Sequence, residues 1–242
     1  PFCARRCPYC DFAAVAGQDG LIGRYAAAVC TEIEQSPVHG RLVETVYFGG
    51  GTPTYVSFTE CIEPVVEVLT RTFVVLPKAE MTFEANPASS DAAHYRRFRE
   101  IGFNRVSIGI QSFDDGTLQR LGRLHTGEEA AAAYDSARAA GFASVSVDLI
   151  FGCPDQSEMQ WRDDLNQAIS LGPDHISAYG LTIEEGTPFS SMLRTGSLSV
   201  PSEDERAAML ETTIELLTQA GYEHYEVSNY AQPGHRCRHN LL

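Results

Sequence analysis

Three cysteines fall within the first ten residues, Cys3, Cys7 and Cys10 in Pro-Phe-Cys-Ala-Arg-Arg-Cys-Pro-Tyr-Cys. Thiolates at this spacing suit three irons of a four-iron cluster. The remaining iron, without a protein ligand, would be open to a small molecule that accepts an electron from it. A structural zinc site is the other reading, with Cys7 and Cys10 as one half and Cys237 and His239 as candidate partners. Disulfide pairing fits less well, because seven is an odd number of cysteines, four of them stand alone, and no secretory segment is visible. This usage points to a reducing compartment, and a cytoplasmic location is expected.

Further along, Gly49-Gly50-Gly51-Thr52-Pro53-Thr54 strings together three residues without a Cβ, so a polar ligand can approach main-chain N–H and C=O groups. The run lacks the lysine and spacing of a nucleotide P-loop and does not match the GxGxxG dinucleotide fingerprint. Glu84, in Phe-Glu-Ala-Asn-Pro, offers a carboxylate to a ribose or an ammonium group. Gln111 and Arg123 carry donors suited to a ligand carboxylate. Asp148 is a charge inside the apolar run Ser-Val-Asp-Leu-Ile and needs a partner or a ligand. Taken singly, Glu84, Gln111 and Arg123 are more often caps or surface groups than ligands, and it is their common position at strand ends that points to a site. Cys30, Cys61, Cys153, His39, His94, His175 and His224 lie in surroundings that call for no chemistry.

What positions these residues is a regular alternation. Apolar spacing predicts helices near 21–35, 59–71, 91–101, 127–140, 160–171 and 203–220, interleaved with strands at 45–48, 80–85, 105–110, 144–150, 175–181 and 224–227. Such alternation makes parallel strands joined by crossover helices, as an open doubly wound sheet or as a partial barrel. In both, functional groups gather at the carboxyl ends of the strands, where the glycine run, Glu84, Gln111 and Asp148 fall.

With 242 residues, 43% of them hydrophobic, one core domain over 1–242 is expected. A net charge of -14, from 18 basic and 32 acidic residues, repels a phosphate backbone and argues against nucleic acid as a partner. An anionic membrane surface is disfavoured in the same way, and no apolar run approaches the roughly 20 residues that span a bilayer. The chain opens on the cysteine loop and stops at Asn240-Leu-Leu without a turn, so a fragment is expected, lacking a strand before residue 1 and a C-terminal region.

Taken in order, Cys3-xxx-Cys7-xx-Cys10, Gly49-Gly-Gly-Thr-Pro-Thr54, Glu84-Ala-Asn-Pro87, Gln111-Ser-Phe113 and Asp148-Leu-Ile150 resemble a radical S-adenosylmethionine enzyme. Within that superfamily the chain is similar to the oxygen-independent coproporphyrinogen III oxidase group, and most of all to its heme-chaperone branch, the HemW family. It shares Pro8-Tyr-Cys-Asp-Phe12 and Leu121-Gly-Arg-Leu-His125 with them. The resemblance implies a partial (β/α)6 barrel and a [4Fe-4S] cluster on Cys3, Cys7 and Cys10 whose open iron is chelated by S-adenosylmethionine. Electron transfer then cleaves the sulfonium, and the deoxyadenosyl radical abstracts hydrogen from a substrate. It also implies that Tyr9, Gly50, Gly51, Thr52, Glu84, Gln111, Arg123, Asp148 and Thr182 line the S-adenosylmethionine sites; Thr182 rests on the resemblance alone. One departure matters: the oxidases carry a further cysteine two positions past the third, where this chain has Phe12. That disfavours decarboxylation and favours heme as cargo, with heme-acceptor proteins and a reductant such as flavodoxin or ferredoxin as partners. Membrane association would come only through an acceptor. His239, in the start of a His-Asn motif, is a candidate heme ligand by the same resemblance.

Overall fold

The computed structural model describes residues 1–242. Two very short strands, β1 (Phe2–Cys3) and β2 (Val15–Ala16), pair in parallel around the cysteine loop. The alternating body follows: α1 (Ile22–Glu34), β3 (Leu42–Phe48), α2 (Glu63–Thr72), β4 (Val74–Ala85), α3 (Ala92–Glu100) and β5 (Arg105–Gln111). A short α4 (Asp115–Arg120) and then α5 (Gly127–Ala139) lead to β6 (Ser144–Phe151), α6 (Glu158–Leu171) and β7 (His175–Gly180). The chain closes with α7 (Pro188–Arg194), α8 (Glu203–Gln219), β8 (Glu223–Glu226) and β9 (Asn229–Ala231).

The main sheet runs β3-β4-β5-β6-β7-β9-β8. Its first five strands are parallel, as the alternation predicts, and each expected helix is present. The expected last strand is β8, but it sits at the sheet edge. Only Val227 and Ser228 separate β8 from β9, too few for a crossover helix, so β9 turns back antiparallel and takes the place beside β7. A three-residue strand is too short to announce itself by periodicity.

Side chains alternate across the central strands. Val106, Ile108 and Ile110 of β5, with Val145, Val147 and Leu149 of β6, point outward and are buried beneath the helices. Phe83 of β4 joins them, its ring stacked 3.8 Å from that of Phe98 on α3. Trp161 of α6 donates from Nε1 to the Met209 carbonyl and the Thr213 hydroxyl of α8, which locks the outer layer. Ser157 and Ser202 open α6 and α8 with capping boxes. The inward positions tell another story: Arg105, Ser107 and Gly109 on β5, Asp148 on β6, and His175 and Ser177 on β7 line a cavity.

Candidate functional site

The cavity has a volume of about 390 Å³ and occupies the concave face of the sheet, roofed by the cysteine loop. Every residue nominated for the cluster or the S-adenosylmethionine sites lies on its wall: Cys3, Cys7 and Cys10, Tyr9, Gly50, Gly51, Thr52, Glu84, Gln111, Arg123, Asp148 and Thr182; His239, the candidate heme ligand, does not.

The cysteine loop is held from below by the glycine run. A Cβ on Gly51 would fall 2.6 Å from the Pro1 carbonyl carbon and 2.7 Å from the Phe2 amide nitrogen, so only glycine lets the two backbones meet. Thr52 N–H then donates to the Phe2 carbonyl at 2.8 Å, and its hydroxyl donates to Cys3 Sγ at 3.3 Å. The Cys10 amide closes a turn on the Cys7 carbonyl. All three thiols are half-buried, and burial pushes the Cys10 thiol up from its ordinary value.

The donor set discriminates between the two metal readings. A tetrahedral zinc site would bring its sulfurs to about 4 Å from one another, yet no three His, Cys, Asp or Glu side chains lie close enough to grip one ion. A four-iron cluster instead offers three separate irons to three thiolates, and Cys3, Cys7 and Cys10 share one cavity wall. The proposed zinc partners are engaged elsewhere. Cys237 Sγ donates to Glu80 Oε1 at 3.4 Å, while His239 stacks on Tyr47 with centroids 5.0 Å apart and places Nδ1 3.0 Å from Thr45 Oγ1. Thr45 and Glu80 lie mid-strand, three and five residues short of the carboxyl ends of β3 and β4.

Glu84 is fixed by the Tyr47 hydroxyl, which donates to Oε1 at 3.0 Å, and by Gly50 N–H, which donates to Oε2 at 3.1 Å. Burial raises its carboxyl above the ordinary range against the pull of those two donors. At the end of β5 a register shift between Gly109 and Gln111 puts Gln111 at φ 73°, a left-handed conformation rare outside glycine. This turns its amide back over Gly109, where a Cβ would lie 2.8 Å from Gln111 Nε2. Arg123 fills the rest of that space. Its Nη2 donates to the Gly109 carbonyl at 2.8 Å, and its Nη1 lies 3.8 Å from Cys7 Sγ, a cation set beside a sulfur of the roof. His125 anchors the Arg123 segment by donating from Nε2 to the Ile110 carbonyl at 3.0 Å; burial and the Arg123 charge lower it to about 4, so it is neutral at pH 7.

Asp148 has the partners its apolar strand demanded. The Ser107 hydroxyl reaches both carboxyl oxygens, at 2.9 and 3.0 Å, and Ser177 also donates. Burial nevertheless pushes its carboxyl up to about 6, with Glu84 adding to the rise. Tyr9 packs beside Phe189, and burial raises its hydroxyl. Phe12 is 60% exposed on the cavity wall. Sequence reasoning missed Tyr47, Arg105, Ser107, His175, Ser177 and Tyr179 on the same wall. The signal was present as polar residues at every second position of 105–111 and 175–179, alternating with apolar ones.

A half-barrel with three thiols and a polar concave face at its strand ends defines a protein built to hold a redox cluster beside a small polar ligand. Residues 1–168 match the Radical SAM superfamily, and the chain belongs to it. The whole chain is 39% identical to a protein named heme chaperone HemW from Synechocystis sp., covering 60% of that protein, and 38% identical to heme chaperone HemW from Escherichia coli, covering 63%. Among solved structures it is similar to coproporphyrinogen III oxidase (HemN) from Escherichia coli, with a TM-score of 0.87 and 28% identity over 98% of this chain and 55% of that one. The chain thus spans about 60% of the length of these curated relatives. No helix is long and apolar enough to cross a membrane.

Proposed function

We propose that residues 1–242 are the core unit of a cytoplasmic heme chaperone, which binds heme and passes it to acceptor proteins. The observation that carries this reading is Phe12. Where the oxidase group has a cysteine, an exposed phenyl ring lines the cavity beside the roof, an apolar surface for a macrocycle in place of a redox-active thiol. Similarity along the entire chain to proteins named heme chaperone supports it.

In this reading Cys3, Cys7 and Cys10 hold a [4Fe-4S] cluster. Together with S-adenosylmethionine, the cluster supplies one-electron chemistry when both are bound and a reductant is at hand. The chain's own contribution is placement. Thr52 donates to the Cys3 sulfur and Arg123 sets its charge beside the Cys7 sulfur, which orients both toward the ligand space. Glu84, Gln111 and Arg123 offer an acceptor, an amide and a cation around the ligand space, and Asp148 lies deeper, held by its two serines. Tyr9, Gly50, Gly51 and Thr182 complete the wall and exclude water from it.

A second reading, an oxygen-independent coproporphyrinogen III oxidase, is favoured by the close structural likeness to that enzyme. One experiment separates them. The anaerobically reconstituted full-length protein is given S-adenosylmethionine, reductant and coproporphyrinogen III, and in parallel is titrated with hemin and mixed with an apo-acceptor. The expected outcome is saturable hemin binding, transfer to the acceptor and no loss of carbon dioxide. Formation of protoporphyrinogen would overturn the chaperone reading.

A further inference from the structure

Arg105 opens β5 on the concave face, six residues below Gln111, and thus about 20 Å from the strand ends where the cysteine loop sits. It is 3% exposed. Its Nη1 donates to the Ser144 hydroxyl at 2.7 Å and to the His235 carbonyl at 3.4 Å, both neutral acceptors; its Nε has no partner. It forms no ion pair, whereas the half-buried Arg138 is paired with Asp174; an idle Nε is found also on Arg120, Arg123 and Arg206. The nearest candidate, Asp148, is occupied by Ser107 and Ser177.

The negative charges near the cavity floor are already engaged: Glu80 accepts from Cys237 and from the Arg238 and His239 amides. His175, 1% exposed, is bonded through Nδ1 to Ser146 and through Nε2 to Tyr225, and burial keeps it neutral. Cys237 and Asn240 complete the floor, and burial holds the Cys237 thiol in its protonated form. A buried guanidinium with an idle N–H and only neutral hydrogen-bond acceptors carries a desolvation cost that an anion in the cavity would offset.

We propose that Arg105 is the anchor of a second ligand site on the floor of the cavity, which takes a carboxylate, either a free small acid or the propionate arm of a tetrapyrrole. The site is separate from the one formed under the cysteine loop and does not depend on the chaperone reading.

The test uses the full-length reconstituted protein with two pairs of probes, each an acid and its uncharged counterpart: propionate with propionamide, and hemin with hemin dimethyl ester. Thermal shift and saturation-transfer NMR on the wild-type protein should show that propionate binds and stabilises while propionamide does not. Arg105→Met should weaken propionate by about tenfold or more, the worth of one charge-assisted hydrogen bond, and Arg105→Lys should restore part of it. Matching circular dichroism and cluster absorption establish that the variants fold. If hemin outcompetes its ester only while Arg105 is present, the carboxylate is a tetrapyrrole's; if the two hemins bind alike and propionate still depends on Arg105, it is a free acid's. Failure of hemin to bind at all would sink the chaperone reading and leave this site standing. Equal binding of propionate and propionamide, or binding of neither porphyrin nor acid that responds to Arg105, would overturn it.

Discussion

The two faces of the same sheet are built on opposite principles. Outward, β4, β5 and β6 present Phe83, Val106, Ile108, Val145, Val147 and Leu149, buried under helices in one continuous apolar cluster. Inward, the same strands present Glu84, Arg105, Ser107 and Asp148 around open space. A closed barrel usually fills its interior with branched apolar side chains and draws stability from them. Here the outer face supplies the stability, and the inner face is free to be polar, charged and hollow. The difference teaches that substitutions on one face should register in melting curves and those on the other in ligand binding.

The strongest break of that division is Cys7→Ser. It should abolish the iron–sulfur absorption of the anaerobically reconstituted protein and its response to S-adenosylmethionine, while the far-ultraviolet dichroism of the unreconstituted protein stays as in the wild type. Next comes Phe83→Ala on the outer face, expected to cost about 4 kcal/mol in urea unfolding by emptying the space against Phe98 and Phe103. If it left stability untouched, the outer face would not be the source of stability.

Asp148→Asn sharpens the contrast because it should move stability the other way. The folded carboxyl is raised from 3.8 to about 6, so its contribution is favourable at low pH and is lost as pH rises through 6. Above that, the ionised group opposes folding by an amount that water in the cavity reduces to about 1–3 kcal/mol. The variant without added ligand should therefore melt higher than the wild type at pH 7.5 and level with it at pH 4, while binding S-adenosylmethionine less tightly. A gap that persisted at pH 4 would show that charge is not the cause. The smallest effect is Thr52→Val, which removes one hydrogen bond to a cluster sulfur and keeps the shape. The cluster potential should fall by roughly 40 mV in protein-film voltammetry, with no change in melting temperature.

Much of this was legible in the sequence because its signals were local. The cysteine spacing, the glycine run and the strand-to-helix alternation each lie within a few residues, and the strand ends named Glu84, Gln111 and Asp148 before any coordinates did. What stayed hidden was relational. Arg105 reads as an ordinary strand-opening cation until β4 and β6 flank it and the tail passes below. Gln111 gives no hint in one dimension that a bulge folds its amide over Gly109. His239 reads as a candidate metal or heme ligand, yet it is stacked on Tyr47 from the far end of the chain. The β9 strand escaped for a simpler reason, its length.

That tail has a consequence for the order of events in assembly. Arg238 bonds Glu44, and His239 bonds Thr45, each across 194 residues of sequence, while Glu80 accepts from the Arg238 and His239 amides. Contacts between partners so distant close the largest loop in the molecule and carry the entropic cost of doing so. The sheet from β3 to β7 needs none of them, so during synthesis it can form as a trough open at both ends. Residues 235–241 are made last, so Arg105 gains the His235 carbonyl and the cavity wall gains Cys237 and Asn240 only after every strand of the sheet has been synthesised.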